Sequence, residues 1–126
     1  MLKIYVYAKC STCRDALKWL RVRGMKFSEH AIRETPPAPE ELAAMLKAAG
    51  GNVCQLFNTS GTDYRALGLG EKLAAMSPAE VLSLLGCNGN LVKRPFAIDM
   101  KSGVFLTGFR ELQWDAAFPE GAVWPV

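Results

Sequence analysis

The strongest constraint on this chain lies in residues 2–32. "LKIYVY" (2–7) is rich in branched and aromatic residues, ends at a stretch of small ones, and reads as a buried strand. In "YAKCSTCRDALKWL" (7–20), Cys13, Ala16, Leu17 and Leu20 recur at the spacing of a helix that lays one apolar stripe on a sheet, and Gly24 stops it. "MKFSEHAI" (25–32) alternates well enough for a second strand. Strand, helix and strand in that order form a β-α-β unit, and two cysteines, Cys10 and Cys13, stand at its first turn.

Such a pair has three uses: a metal clamp, a redox dithiol, or one nucleophile with a bystander. Cys10 falls where the strand ends and the helix begins. Free backbone N–H groups and the helix dipole favour negative charge there, which lowers a thiol pKa from its usual value of about 8.5. Cys13, one turn later, points inward and is less accessible. This asymmetry makes Cys10 the attacker and Cys13 the resolver, closing an internal disulfide after a mixed disulfide or sulfenic acid has formed. Ser11 and Thr12 keep the loop polar and offer caps for the helix, while Lys9 and Arg14 add positive charge. The bland alternative is that both thiols pack as small apolar residues.

A zinc site would need two further ligands. The candidates are Cys54, Cys87 and the single His30, none of which forms a second knuckle, so no metal is expected. Cys54 and Cys87, in "NVCQLF" and "LLGCNG", read as buried or incidental thiols, and His30 as a structural or surface residue. Trp19, Trp114 and Trp124 read as core or edge packing.

A length of 126 residues suits one domain with its own core, and 50% apolar with 21% charged residues argues against disorder. The formal charge is +3 with Lys and Arg scattered, which supports a weak attraction for anions and no direct nucleic-acid partner. The opening apolar run is too short for a signal peptide, and no stretch approaches the roughly 18 apolar residues of a membrane span. The expectation is a cytoplasmic protein with no membrane partner. In that reducing compartment four cysteines are not a disulfide framework, and a Cys-x-x-Cys pair reads as catalytic, redox-sensing or metal-binding.

Beyond the β-α-β unit, "TPPAPEE" (35–41) opens a helix with Pro39 and acidic residues in its first turn, which runs through "ELAAMLKAAGG" to Gly50 or Gly51. Short helical pieces follow in "NVCQLF", "DYRALGL", "EKLAAM" and "SPAEVLSLL", the last with Ser77 as N-cap. "RPFAIDMKSGVFLTG" (94–108) is a hairpin with Gly103 in its turn, and "FRELQWDAAF" is a closing helix. The order β-α-β, helices, β-β-α is an α/β, thioredoxin-like arrangement with a mixed central sheet and a helical insert at about residues 36–90.

Three segments in this order, "KCSTCRDALKWLRVRGMKF", "LFNTSGTDYRALGL" (56–69) and "LVKRPFAID" (91–99), resemble the arsenate reductase-related proteins over about residues 1–115. That family includes glutathione- and glutaredoxin-linked arsenate reductases, the YffB type, and the Spx regulators that bind RNA polymerase. The resemblance implies that Cys10 is the nucleophile, that Arg94 helps to hold an oxyanion, and that the Arg94–Pro95 peptide is cis and faces the cysteine loop. A guanidinium suits that role, being always charged and offering forked donors to an oxyanion or thiolate. Ser11, Thr12, Arg14, Lys93 and Pro95 are the candidate substrate-binding residues around these groups.

The chain also departs from the family. Two further arginines that arsenate reductases use fall near Asn58 and Gly108, and the arginine of the YffB and Spx types falls at Ser60. Lys93, Arg65 or Arg110 could supply charge from neighbouring positions. Losing one such contact costs a few kcal/mol of stabilisation, so efficient arsenate reduction is not expected. Cys13, by contrast, is shared with the Spx type and favours an internal dithiol.

The expectation is an arsenate reductase-like thiol-disulfide oxidoreductase acting on a small oxyanion or disulfide. It binds no cofactor and draws electrons from glutathione, a glutaredoxin or a thioredoxin. The alternative is an Spx-like redox sensor that binds RNA polymerase through the insert around "NTSGTDYR". A thioredoxin-like fold that has lost activity is the third reading.

Overall fold

The computed structural model describes residues 1–118; Trp124 therefore lies outside the described residues. Its elements are β1 (Leu2–Val6), α1 (Ser11–Val22), β2 (Phe27–Ala31), α2 (Pro39–Ala48), α3 (Thr62–Ala66), α4 (Leu69–Lys72), α5 (Pro78–Cys87), β3 (Phe96–Asp99), β4 (Val104–Thr107) and α6 (Glu111–Ala117), with short 3-10 turns at Val53–Leu56, Leu73–Ala75 and Gly89–Leu91. This is the mixed α/β, thioredoxin-like architecture expected, with the helical insert between β2 and β3.

The sheet order is β2-β1-β3-β4. β1 pairs parallel to β2, Leu2 opposite Phe27 through Val6 opposite Ala31, and antiparallel to β3, which pairs antiparallel to β4. Side chains alternate across a strand, so β1 and β3 serve two cores. Leu2, Ile4, Val6 and Ala97 join Cys13, Ala16, Leu17 and Leu20 of α1 and Trp114 of α6 on one side. Tyr5, Phe96 and Ile98 meet Leu42, Met45, Leu56, Val81 and Leu85 of the insert on the other.

Local signals act as read. α1 gives way to Gly24 at φ 65°, where the Gly24 and Met25 N–H groups donate to the Arg21 and Leu20 carbonyls. Ser77 caps α5 by accepting from the Glu80 N–H, and the Glu80 carboxylate accepts from the Ser77 N–H. α2 uses its acidic first turn differently from a dipole contact alone. Glu41 is buried, accepts hydrogen bonds from the Tyr5 hydroxyl and the Ala38 N–H, and pairs with Lys3 at 3.2 Å. The insert is thereby tied to the central strand by a carboxylate whose pKa is lowered, burial being outweighed by these three partners. At the opposite end, Trp114 Nε1 donates to the Gly108 carbonyl and holds α6 against the end of β4.

Candidate active site

The cysteines occupy the carboxyl end of β1, where the chain turns into α1. Cys10 is itself the N-cap, with extended backbone (φ −91°, ψ 116°), and its sulfur accepts from the Cys13 N–H at 3.4 Å. Ser11 and Thr12 are therefore not the cap: they form the first helical turn, because the cap is the last residue still outside helical geometry. Cys13 is 1% exposed and packs into the α1 side of the core, whereas Cys10 is half-buried at its edge.

Burial works against a Cys10 thiolate, but hydrogen bonding from the Cys13 thiol and backbone, together with the Arg94 charge, outweighs it and holds the pKa below the ordinary thiol value. Burial pushes the Cys13 thiol up to about 12, and the neighbouring Cys10 sulfur adds to the shift. The two thiols thus differ in the same turn: Cys10 favours its thiolate and Cys13 keeps its proton. The Arg94 guanidinium acts on both sulfurs, and the Arg94–Pro95 peptide is cis.

Arg94 stands with its Cζ 5.0 Å from the centre of the Tyr7 ring, a cation–π contact, and its Nη1 is buried with no hydrogen-bond partner among the described residues. Arg14 is exposed and reaches back to the Ala8 carbonyl at 3.5 Å, on the rim of the cysteine loop. Pro95 is buried, and its carbonyl accepts from the Gly108 N–H. Lys93 runs alongside Gly108: a Cβ at 108 would stand 3.1 Å from Lys93 Cε. The lysine thus takes the room left by the absent side chain at Gly108. Arg65 is turned onto the insert's own backbone, its Nη2 donating to the Ser60 carbonyl at 2.6 Å.

One residue absent from the sequence reading joins this group. Arg33, just past β2, donates from Nη1 to the Tyr7 hydroxyl at 2.9 Å, with its Cζ 4.9 Å from the same ring. Arg33 and Arg94 both line an open polar recess of about 210 Å³ that also exposes Asn58, Asp63 and Asn90. The signal that could have found Arg33 is its place at the carboxyl end of a strand parallel to β1, since parallel strands bring their carboxyl ends, and the loops after them, to one edge of the sheet.

The other candidates lie apart. Cys54 and Cys87 are exposed, so neither is the buried thiol considered above. His30 stacks on Tyr5 at 5.0 Å and contacts Ser28 Oγ, a structural position. Trp19 and Trp114 are buried, and Arg23 lies over Trp19 at 3.6 Å. A larger groove of about 490 Å³ beside Trp19 and Phe109 is lined by no cysteine. Among the described residues, no cluster of three or more metal-ligand side chains occurs, and no helix is long and apolar enough to cross a membrane.

Known proteins share this fold. The chain is 45% identical over 114 residues to the uncharacterized protein YusI of Bacillus subtilis, covering 90% of this chain and 95% of that one. It is 33% identical over 101 residues to the regulatory protein MgsR of the same organism, covering 79% and 78%. The crystal structure of a possible arsenate reductase from Streptococcus mutans superimposes with a TM-score of 0.85 at 38% identity, over 94% of this chain and 98% of that one. Residues 5–117 match the ArsC family along nearly the whole described chain, cysteine loop and cis-proline included, and the protein belongs to that family.

Proposed function

We propose that the protein is a cytoplasmic thiol-disulfide oxidoreductase of the arsenate reductase-like kind, with Cys10 as nucleophile, Cys13 as resolving thiol and Arg94 as the cation that steadies the thiolate and an incoming anion. The observation that carries this reading is the geometry of the pair: Cys10 caps α1 at the edge of the core with its sulfur accepting from the Cys13 N–H at 3.4 Å, and Cys13 is 1% exposed, an asymmetry that favours the Cys10 thiolate and the protonated Cys13. The Cys10 thiolate attacks one sulfur of a substrate disulfide, the substrate S–S bond breaks, and one half leaves as a thiolate. Cys13 then gives up its proton to that leaving thiolate and attacks Cys10 Sγ, which expels the second half and leaves a Cys10–Cys13 disulfide. The substrate has gained two electrons and the protein has lost two. Two equivalents of an external thiol, or the dithiol of a glutaredoxin or thioredoxin, return them.

Charge on Cys10 helps to hold the Cys13 proton in place, and that contribution disappears once Cys10 is in a mixed disulfide, whereas the Arg94 contribution stays. Resolution is thereby timed after attack. Arsenate itself is a poorer candidate than a disulfide, because Asn58 and Gly108 stand where two oxyanion arginines are expected.

The test is a glutathione redox titration followed by alkylation and peptide mass spectrometry. A reversible Cys10–Cys13 bridge is the expected product. A glutathione adduct confined to Cys10 would make Cys10 a lone nucleophile and Cys13 a bystander, and two unreactive thiols would refute the reading.

A second reading, an Spx-like redox-sensing transcriptional regulator that binds RNA polymerase, draws its regulatory part from the likeness to the regulatory protein MgsR and to the global transcriptional regulator Spx of Streptococcus mutans. Retention of polymerase by the wild type but not by variants of the 58–65 segment would support it. Turnover with glutathione and no retention would favour the enzyme.

A further inference from the structure

We propose that Arg33 and Asp63, together with Arg94, form a subsite that takes the amino-acid end, α-carboxylate plus ammonium, of the small disulfide that reacts at Cys10. The inference rests on the reading of Cys10 as a nucleophile and adds the class of molecule it meets.

Three observations place the subsite. Arg33 and Arg94 converge on one aromatic spacer, with both guanidinium carbons within about 5 Å of the Tyr7 ring centre, and both line the same open recess. Two guanidinium groups brought together without a carboxylate between them repel unless an anion joins them. Among the described residues neither forms an ion pair with Asp or Glu: Arg33 is held by the neutral Tyr7 hydroxyl, and Arg94, whose charge acts on Cys10, keeps a buried Nη1 with no hydrogen-bond partner. An orphaned, buried, charged donor is costly to maintain. A carboxylate in the recess would satisfy it, and forked donors match carboxylate geometry.

Asp63 in the same lining supplies the complementary charge. Asp63 receives the Asn88 and Asn90 side-chain amides at 3.1 and 3.4 Å, and both bonds land on its Oδ2. Since an ionised carboxylate has about four acceptor positions, Oδ1 keeps capacity for an ammonium donor. The recess of about 210 Å³ is too open and too polar to select an apolar group, and with two cations and a carboxylate in its lining it matches a zwitterion better than a simple anion. Tyr7, whose ring lies beside both cations, also accepts the Cys10 N–H on its carbonyl at 3.0 Å, so a ligand anchored by Arg33 and Arg94 lies next to the cysteine loop and can present its sulfur end to Cys10.

The test uses the Cys13→Ser protein, which stops at the mixed disulfide. Rates of adduct formation at Cys10 are compared for cystine (both charges), 3,3′-dithiodipropionate (carboxylate only), cystamine (ammonium only) and bis(2-hydroxyethyl) disulfide (neither). Each is divided by that variant's own iodoacetamide alkylation rate. Adding Arg33→Met should slow cystine and dithiodipropionate about tenfold relative to the other two, the effect of removing one charge-assisted hydrogen bond, and Arg33→Lys should restore part of the loss. Adding Asp63→Asn, an isosteric change that preserves an acceptor for Asn88 and Asn90, should instead slow cystine and cystamine. Equal slowing of all four, or no change in either variant, overturns the subsite while iodoacetamide still modifies Cys10. A response at Arg33 without one at Asp63 overturns the amino-acid end and leaves a carboxylate site. Failure of iodoacetamide to modify Cys10 in the parent removes the nucleophile and the subsite with it.

Discussion

Replacing Gly89 by alanine should open the seam between the insert and the sheet, and with it displace Arg94. The glycine's φ is not in the left-handed region; what the position lacks is space. A Cβ built on Gly89 would stand 1.8 Å from the Ile32 carbonyl oxygen, 2.7 Å from its carbon and 3.1 Å from Arg33 Cα. All three are backbone atoms, so no side chain can swing aside. A relaxed carbon–oxygen contact is about 3.3 Å, so the 3-10 turn at Gly89–Leu91 must retreat by about 1.5 Å. Overpacking against yielding neighbours costs about 1–3 kcal/mol, and a backbone wall puts this substitution at about 3 kcal/mol or above. The shift does not stay local. The Asn58 N–H donates to the Leu91 carbonyl and the Lys93 N–H to the Leu56 carbonyl, both at 2.8 Å, so the turn moves together with the strand of chain leading into Arg94 and with one wall of the recess. Urea denaturation of the variant should show the lost stability, and Cys10 alkylation at neutral pH should slow as Arg94 withdraws. A Gly89→Ala protein within about 0.5 kcal/mol of wild type, the range of an ordinary surface change, would refute this account of the seam.

Other expectations follow from the same geometry. Alkylation of Cys10 should reach half its maximal rate below the usual thiol pKa of about 8.5, and Arg94→Ala should move the profile to higher pH, with several-fold slower reaction at pH 7; an unmoved profile would remove Arg94 from the site. Cys10→Ser should abolish turnover, and Cys13→Ser should accumulate mixed disulfides visible by intact-mass spectrometry. Glu41→Leu strands the Tyr5 hydroxyl, the Ala38 N–H and Lys3, and should cost about 3 kcal/mol in urea melts at pH 7. Because the folded Glu41 pKa is lowered, its contribution is fully present above the unfolded carboxylate pKa of about 4.3 and fades as pH falls through the folded value. The gap between wild type and variant should therefore narrow in acid.

Much of this was legible where the signal is short-range. The β-α-β unit, the hairpin around Gly103 and the Ser77 cap each depend on residues within a few positions of one another, and all three stand as read. The same local logic misassigned the α1 cap to Ser11 or Thr12, because the spacing of the helical stripe does not say which residue is the last one outside the helix. Glu41 showed in sequence as an acid in a first helical turn. That it reaches across to Tyr5 and Lys3 depends on the insert folding back over β1. Charge around the site was the hardest to read: Lys93, Arg65 and Arg110 were the candidates, yet Lys93 packs beside Gly108, Arg65 bonds the Ser60 backbone, and Arg33 is the cation that joins Arg94 at Tyr7.

The amino-acid order settles the chemistry that can be attempted: a strand, a Cys-x-x-Cys turn and an amphipathic helix put one thiol at a helix start and the next one turn inside, whatever the rest of the chain does. Tertiary structure decides which charges meet that thiol. Arg33 and Arg94 are separated by the entire helical insert and reach a common tyrosine because β2 runs parallel to β1 while the cis-proline segment leads into antiparallel β3. A periodic pattern reports which face of an element is buried, but the end-to-end placement of two long, flexible, charged side chains is set by strand direction and register, which arise when distant elements pack.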